Sequence, residues 1–80
     1  MAVKILFLGP LSDMAGEQSR EVAAPLDWKG LLDAVGAEIA EQLQNERVNI
    51  ACDGKVLADK ASLIAQDGDE VALLPPVSGG

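Results

Sequence analysis

The chain has no histidine and no tyrosine, and its only aromatic residues are Phe7 and Trp28. Histidine is the commonest general base near neutral pH and a frequent metal ligand, so much acid–base and metal chemistry lacks its usual residue here. A single cysteine, Cys52, excludes an intrachain disulfide and a cysteine-rich zinc site. One unpaired thiol fits a reducing compartment, and the expected location is the cytoplasm. Cationic side chains are few: Lys4, Arg20, Lys29, Arg47, Lys55 and Lys60 lie scattered among thirteen carboxylates, for a net charge of −7. Such a surface is repelled by phosphates, so neither nucleic acid nor an anionic membrane is expected as a partner. The sign of the charge favours a basic protein surface instead. No apolar run approaches the ~20 residues of a membrane helix. The opening stretch, Met1 to Leu8, is too short for a signal peptide and is stopped by Gly9-Pro10.

Eighty residues make one domain with one modest core. That leaves little room for a deep private active site, which favours a carrier, an adaptor or a subunit over a self-sufficient enzyme. Apolar residues at 49% and charged residues at 24% are ordinary globular proportions, so a folded domain is expected rather than a disordered one.

Residues 3–8 are rich in strand formers. Period two places Val3, Ile5 and Phe7 on a core face, with Lys4, Leu6 and Leu8 on the other; Leu6 and Leu8 suit a face covered by a partner. Residues 10–16 read as a loop with room for one helical turn, and residues 17–23 as a second strand with Val22 pointing inward. Asp27 is a helix cap. After it, Trp28, Leu31, Leu32, Val35, Ile39 and Leu43 recur at spacings of three and four, one apolar stripe over more than four turns. Gly30 and Gly36 weaken that helix by about 1 kcal/mol each relative to alanine. Residues 48–52 form a third strand, Asp53-Gly54 is a tight turn, and residues 55–57 return. Residues 58–66 are expected to be irregular, with Leu63 and Ile64 in the core. Asp67-Gly68 turns into a last strand over residues 70–74, with Val71 and Leu73 facing one way and Ala72 and Leu74 the other. The order β-β-α-β-β-β implies an α+β roll, a mixed sheet carrying one helix on one face. First and last strands side by side at its centre would let the C-terminus leave as a free tail.

The tail Pro75-Pro76-Val77-Ser78-Gly79-Gly80 is the most informative segment. Two prolines favour an extended rod. Gly79 and Gly80 lack Cβ atoms and can enter a channel that side chains would block. The reactive group delivered is then the terminal carboxylate. Once adenylated by ATP it is a mixed anhydride, which a sulfur donor can convert to a thiocarboxylate. The chain is substrate and carrier in this chemistry, and other proteins supply the nucleotide site.

The run Asp67-Gly68-Asp69-Glu70-Val71-Ala72-Leu73-Leu74-Pro75-Pro76-Val77-Ser78-Gly79-Gly80 resembles the end of the molybdopterin synthase small subunits. That family shows D-G-D-E-V-A, two large apolar residues, then P-P-V-x-G-G. Val3-Lys4-Ile5-Leu6-Phe7-Leu8 with Met14-Ala15-Gly16 is similar to its opening. The resemblance implies a ubiquitin-like β-grasp fold, with a domain over residues 1–74 and a protruding tail over residues 75–80. It implies that an adenylating enzyme activates Gly80, that a thiocarboxylate forms there, and that Pro75, Pro76, Val77, Ser78 and Gly79 insert with it into the large subunit's active site. There the sulfur passes to cyclic pyranopterin monophosphate, commonly in a two-plus-two heterotetramer. No metal and no cofactor is expected on this chain; ATP belongs to the adenylating partner. Leu74, Leu6 and Leu8 are the expected interface anchors. The apolar pair before the prolines is often rich in phenylalanine in the family, and Leu73-Leu74 offers less contact area.

Other groups read more plainly. Cys52, at a strand end beside Asp53, lacks the positive surroundings of a reactive thiolate and is expected to be structural. Asp53, Asp67, Asp69 and Glu70 lack the spacing of a calcium loop and suit turns and docking charge. Trp28 is a partly buried staple at the helix start. Two neighbouring functions share the adenylation step: sulfur delivery for thiamine or cysteine synthesis, and attachment to lysines as a protein modifier.

Overall fold

The computed structural model describes residues 2–76. Strand β1 (Ala2–Phe7) buries Val3, Ile5 and Phe7 and turns Lys4 outward, the alternation expected of it. It pairs antiparallel with β2 (Ser19–Ala23), with Val3 opposite Val22 and Ile5 opposite Arg20. Their connection is more ordered than its sequence suggests. Pro10–Ala15 forms a helix, α1, with proline in its first turn, Leu11 buried beneath it, and Gly16 closing it in the left-handed region at φ 76. Six residues with one buried anchor are too few to leave a periodic signal.

A two-residue strand, β3 (Leu26–Asp27), leads into helix α2 (Trp28–Val35). Asp27 caps the helix: its Oδ1 accepts the Gly30 amide at 2.7 Å. Glycine fits closely at position 30: an added Cβ would lie 3.0 Å from that oxygen and 3.2 Å from the Leu26 methyl, so both side chains would have to give by a few tenths of an ångström. The expected continuous helix is interrupted at Gly36, whose φ of 89 and ψ of 163 are not helical, and restarts as α3 (Ala37–Leu43). The apolar stripe crosses the break intact: Leu31, Val35, Ile39 and Leu43 are all buried.

Strand β4 (Asn49–Cys52) and β5 (Lys55–Val56) form a hairpin, with Asp53 at φ 51 and Gly54 at φ 82 between them. Positive φ at both positions is what a two-residue turn of this kind demands. The following segment holds a short 3-10 turn over Lys60–Ser62 and then β6 (Ile64–Ala65), which pairs with β3. This corrects the placement of Ile64 in the core. Ile64 is 64% exposed, while Leu63 and Ala65 on either side are buried, because strand alternation allows only one parity inward.

Strand β7 (Glu70–Leu74) runs parallel to β1 and antiparallel to β4, giving the order β2-β1-β7-β4-β5. First and last strands thus lie side by side at the centre. Val71, Leu73 and Ile50 join the β1 residues and the helix stripe in one apolar cluster, and among the described residues no polar side chain is buried. None of the described helices is long and apolar enough to cross a membrane.

Candidate functional site

The helices cover one face of the sheet and leave the other open. On that open face the registers set Leu6 opposite Ala72, Ala72 opposite Ala51, and Ala51 opposite Val56. An apolar row therefore crosses four strands. Alanines in the middle keep the face flat, and larger side chains stand at its ends. Leu6 is half-buried and Val56 is 57% exposed. Leu74, also half-buried, stands opposite Asn49 one step further along β7. Leu8 follows the end of β1 and is 39% exposed. Leu6 and Leu74 thus share this face. Val56 was missed by the sequence reading, although the Asp53-Gly54 turn fixes the register that puts it opposite Ala51.

The polar surround is mixed. Lys4 lies between Glu21 on β2 and Glu70 on β7. The carboxylates at the far end of the sheet are tied to the backbone: Asp67 accepts the Ala2 amide at 2.9 Å, Asp69 that of Gln66 at 2.8 Å, and Asp53 that of Glu70 at 3.1 Å. These bonds explain the acidic residues as turn formers. Cys52 packs beside the core, half-buried. Burial pushes its thiol up from the ordinary range, with Asp69 and then Asp53 adding to the effect. A thiol held protonated is a poor nucleophile.

Two concavities flank the sheet. One, of about 320 Å³, is lined by Trp28, Asn49, Leu57 and Lys60 among others. Its ammonium is already committed: Lys60 Nζ donates to the carbonyls of Leu43, Asn45 and Val48 at 2.7, 2.7 and 2.9 Å. It also sits 5.9 Å from the ring centre of Trp28, which is partly buried against the core. The other concavity, of about 370 Å³, lies at the end of β1 and is lined by Leu6, Phe7, Leu8, Gly9, Ser12 and Gln18. It borders the root of the C-terminal segment, since Gly9 lies against the ring of Pro75.

The chain leaves the sheet from its central strand. Leu74 ends β7, Pro75 is half-buried and Pro76 is exposed. Val77, Ser78, Gly79 and Gly80, expected to be the inserted and reactive end, lie outside the described residues. The structure therefore brings Leu6 and Leu74 to one face, with Leu8 beside Leu6, and sets Pro75 against Gly9 where the chain leaves that face's central strand.

Residues 5–80 match the ThiS family. The molybdopterin synthase sulfur carrier subunit of Escherichia coli K12 is 34% identical over 85 residues, covering 98% of this chain and 99% of that one. Among solved structures, the complex of subunits 1 and 2 of the molybdopterin-converting factor from Helicobacter pylori contains a chain that superposes with a TM-score of 0.67 at 29% identity, with full coverage of both. SAMP1 from Haloferax volcanii, a small archaeal modifier protein, superposes with a TM-score of 0.76 at 26% identity, also with full coverage. The strand order, the central exit of β7 and these likenesses agree that the fold is the ubiquitin-like β-grasp, and the chain belongs to the ThiS family, with molybdopterin synthase sulfur carrier subunits among its relatives.

Proposed function

We propose that this chain is the sulfur carrier of a molybdopterin synthase. The observation that carries the reading is the junction of an open apolar sheet face with the start of a Pro-Pro-Val-Ser-Gly-Gly segment leaving the central strand. An exposed apolar patch on a small acidic domain favours a protein partner. The adjoining segment then has an anchored base from which to reach into that partner.

In the proposed cycle an adenylating enzyme binds the open face. The Gly80 carboxylate attacks the α-phosphate of ATP on that enzyme, releasing pyrophosphate and leaving an acyl adenylate. A sulfur donor displaces AMP, so that the terminal group becomes a thiocarboxylate. The charged carrier then docks on the synthase large subunit through Leu6, Leu8, Val56 and Leu74. Residues 75–80 enter its active site, where the thiocarboxylate sulfur bonds to cyclic pyranopterin monophosphate and water cleaves the acyl carbon–sulfur bond, leaving the sulfur on the pterin and restoring the Gly80 carboxylate. Gly79 and Gly80 admit the chain to a narrow channel because neither carries a Cβ. Residues 1–74 serve as the docking domain, and the pair forms a heterotetramer in the cytoplasm. This chain holds no nucleotide in the scheme.

Reconstitution tests the reading. The carrier is combined with its adenylating enzyme, ATP, a sulfur donor, the large subunit and the pterin precursor. The native chain should support molybdopterin formation, and a variant with one residue added after Gly80 should not. Normal product from the extended variant contradicts the proposal. Likeness to SAMP1 supports a second reading, attachment of the same terminus to lysine amines. Isopeptide-linked Gly-Gly remnants on cellular lysines would distinguish it.

A further inference from the structure

Gly9 occupies an unusual position at the root of the C-terminal segment. Its φ of 57 and ψ of −135 are open to glycine and costly for an L-residue with a side chain. The turn around it is tied down. The Gly9 carbonyl accepts the Ser12 amide at 3.1 Å and the Ser12 hydroxyl at 2.8 Å, and the Leu11 amide bonds back to Leu8 at 3.2 Å. A backbone held so far from the common regions persists when its surroundings over-determine it. What lies against it is Pro75, whose Cγ stands 3.4 Å from the point an added Cβ would occupy. The parallel register explains the meeting, since Phe7 pairs with Leu73 and two further residues bring each strand to this point.

We propose that Gly9 is a positioning residue for the C-terminal segment: the turn it makes is the seat of Pro75, and the seat sets the line along which the chain leaves the sheet. The direction of the chain would then be fixed at Pro75, one residue beyond the end of β7. A stem anchored at its base searches less space before entering a partner's channel, so less conformational freedom is lost on insertion. The inference rests on the reading that this segment is threaded into an adenylating enzyme.

Two measurements test it on the full-length chain. The first is a nuclear Overhauser contact between Gly9 Hα and the Pro75 ring protons, expected in the native chain. The second is steady-state pyrophosphate release by the adenylating enzyme at varied carrier concentration. Loss of fold would lower the concentration of competent carrier, raising KM and sparing kcat. A misdirected stem leaves the docking face intact and lowers the fraction of docked complexes with the carboxylate in place. Gly9→Ala and Pro75→Ala should therefore each lower kcat about threefold to tenfold without raising KM. The double variant should be no slower than the slower single one, because both act through one seat. Replacing Gly9 with D-alanine, for which these backbone angles are comfortable, should restore kcat. Absence of the Overhauser contact overturns the seat. An unchanged kcat in Gly9→Ala, or additive losses in the double variant, overturns the positioning role. A native chain that shows the contact and no turnover overturns the carrier reading, and the positioning role with it.

Discussion

On the helix side of the sheet, Val3, Ile5, Ile50, Val71 and Leu73 are sealed beneath α2 and α3. On the other side, Leu6 and Leu74 occupy two of the same strands, β1 and β7, in the opposite parity, Val56 stands on the neighbouring β5, and all three stay wholly or partly open to solvent. The two sets are chemically alike, and their circumstances differ. Burial of apolar area contributes about 25 cal/mol per Å² to folding on the covered side. On the open side the same area remains available to a partner. One sheet therefore divides its hydrophobic effect between stability and recognition, and its central strand, β7, takes part in both.

Substitutions can break this division, beginning with the largest effect. Leu73→Ala, on the covered side, should cost about 2–5 kcal/mol of folding stability. Denaturant titration would show it. Its neighbour Leu74→Asp should cost less stability than Leu73→Ala, about 1 kcal/mol at a half-buried strand position, and weaken large-subunit binding by about ten- to a hundredfold. Titration calorimetry reads this directly, and native affinity would remove Leu74 from the interface. Lys60→Met, away from both faces, should cost about 1 kcal/mol of stability, since three carbonyls lose a shared donor at a partly exposed site. Partner affinity should not change. Val56→Ser, at the outer end of the open row, should weaken binding by about threefold and spare stability.

The smallest effect concerns pH. The Cys52 thiol is raised in the folded state, so the fold binds that proton more tightly than the unfolded chain does. Its contribution is complete below the unfolded thiol's range and is lost as pH rises through the folded one. Cys52→Ala should therefore flatten the alkaline limb of the stability–pH curve. An unchanged limb would mean that the thiol carries no such linkage.

Much of this division is legible in the residue order. The alternation of residues 3–8, the Asp27 cap and the Asp53-Gly54 turn are local signals, and each appears in the structure where the sequence puts it. The parity of β1 and β7 also points to Leu6 and Leu74 as companions on one face. What escapes is non-local or masked by a stronger pattern. The stripe from Leu31 to Leu43 keeps helical spacing across Gly36, so periodicity hides the break that the backbone makes there. Ile64 carries an apolar side chain, yet pairing with Asp27 across β3 and β6 decides which way it points. The three carbonyls gathered by Lys60 come from residues twelve to seventeen positions away. Gly9 reads locally as a strand stop, and its contact with Pro75 exists only because β1 and β7 run parallel.

The most direct test is the intact mass of the chain after incubation with its adenylating enzyme, ATP and a sulfur donor. Exchange of one terminal oxygen for sulfur predicts a gain of about 16 Da, absent when Gly80 is deleted. A native chain of unchanged mass, or an equal gain in the deletion variant, would contradict the account.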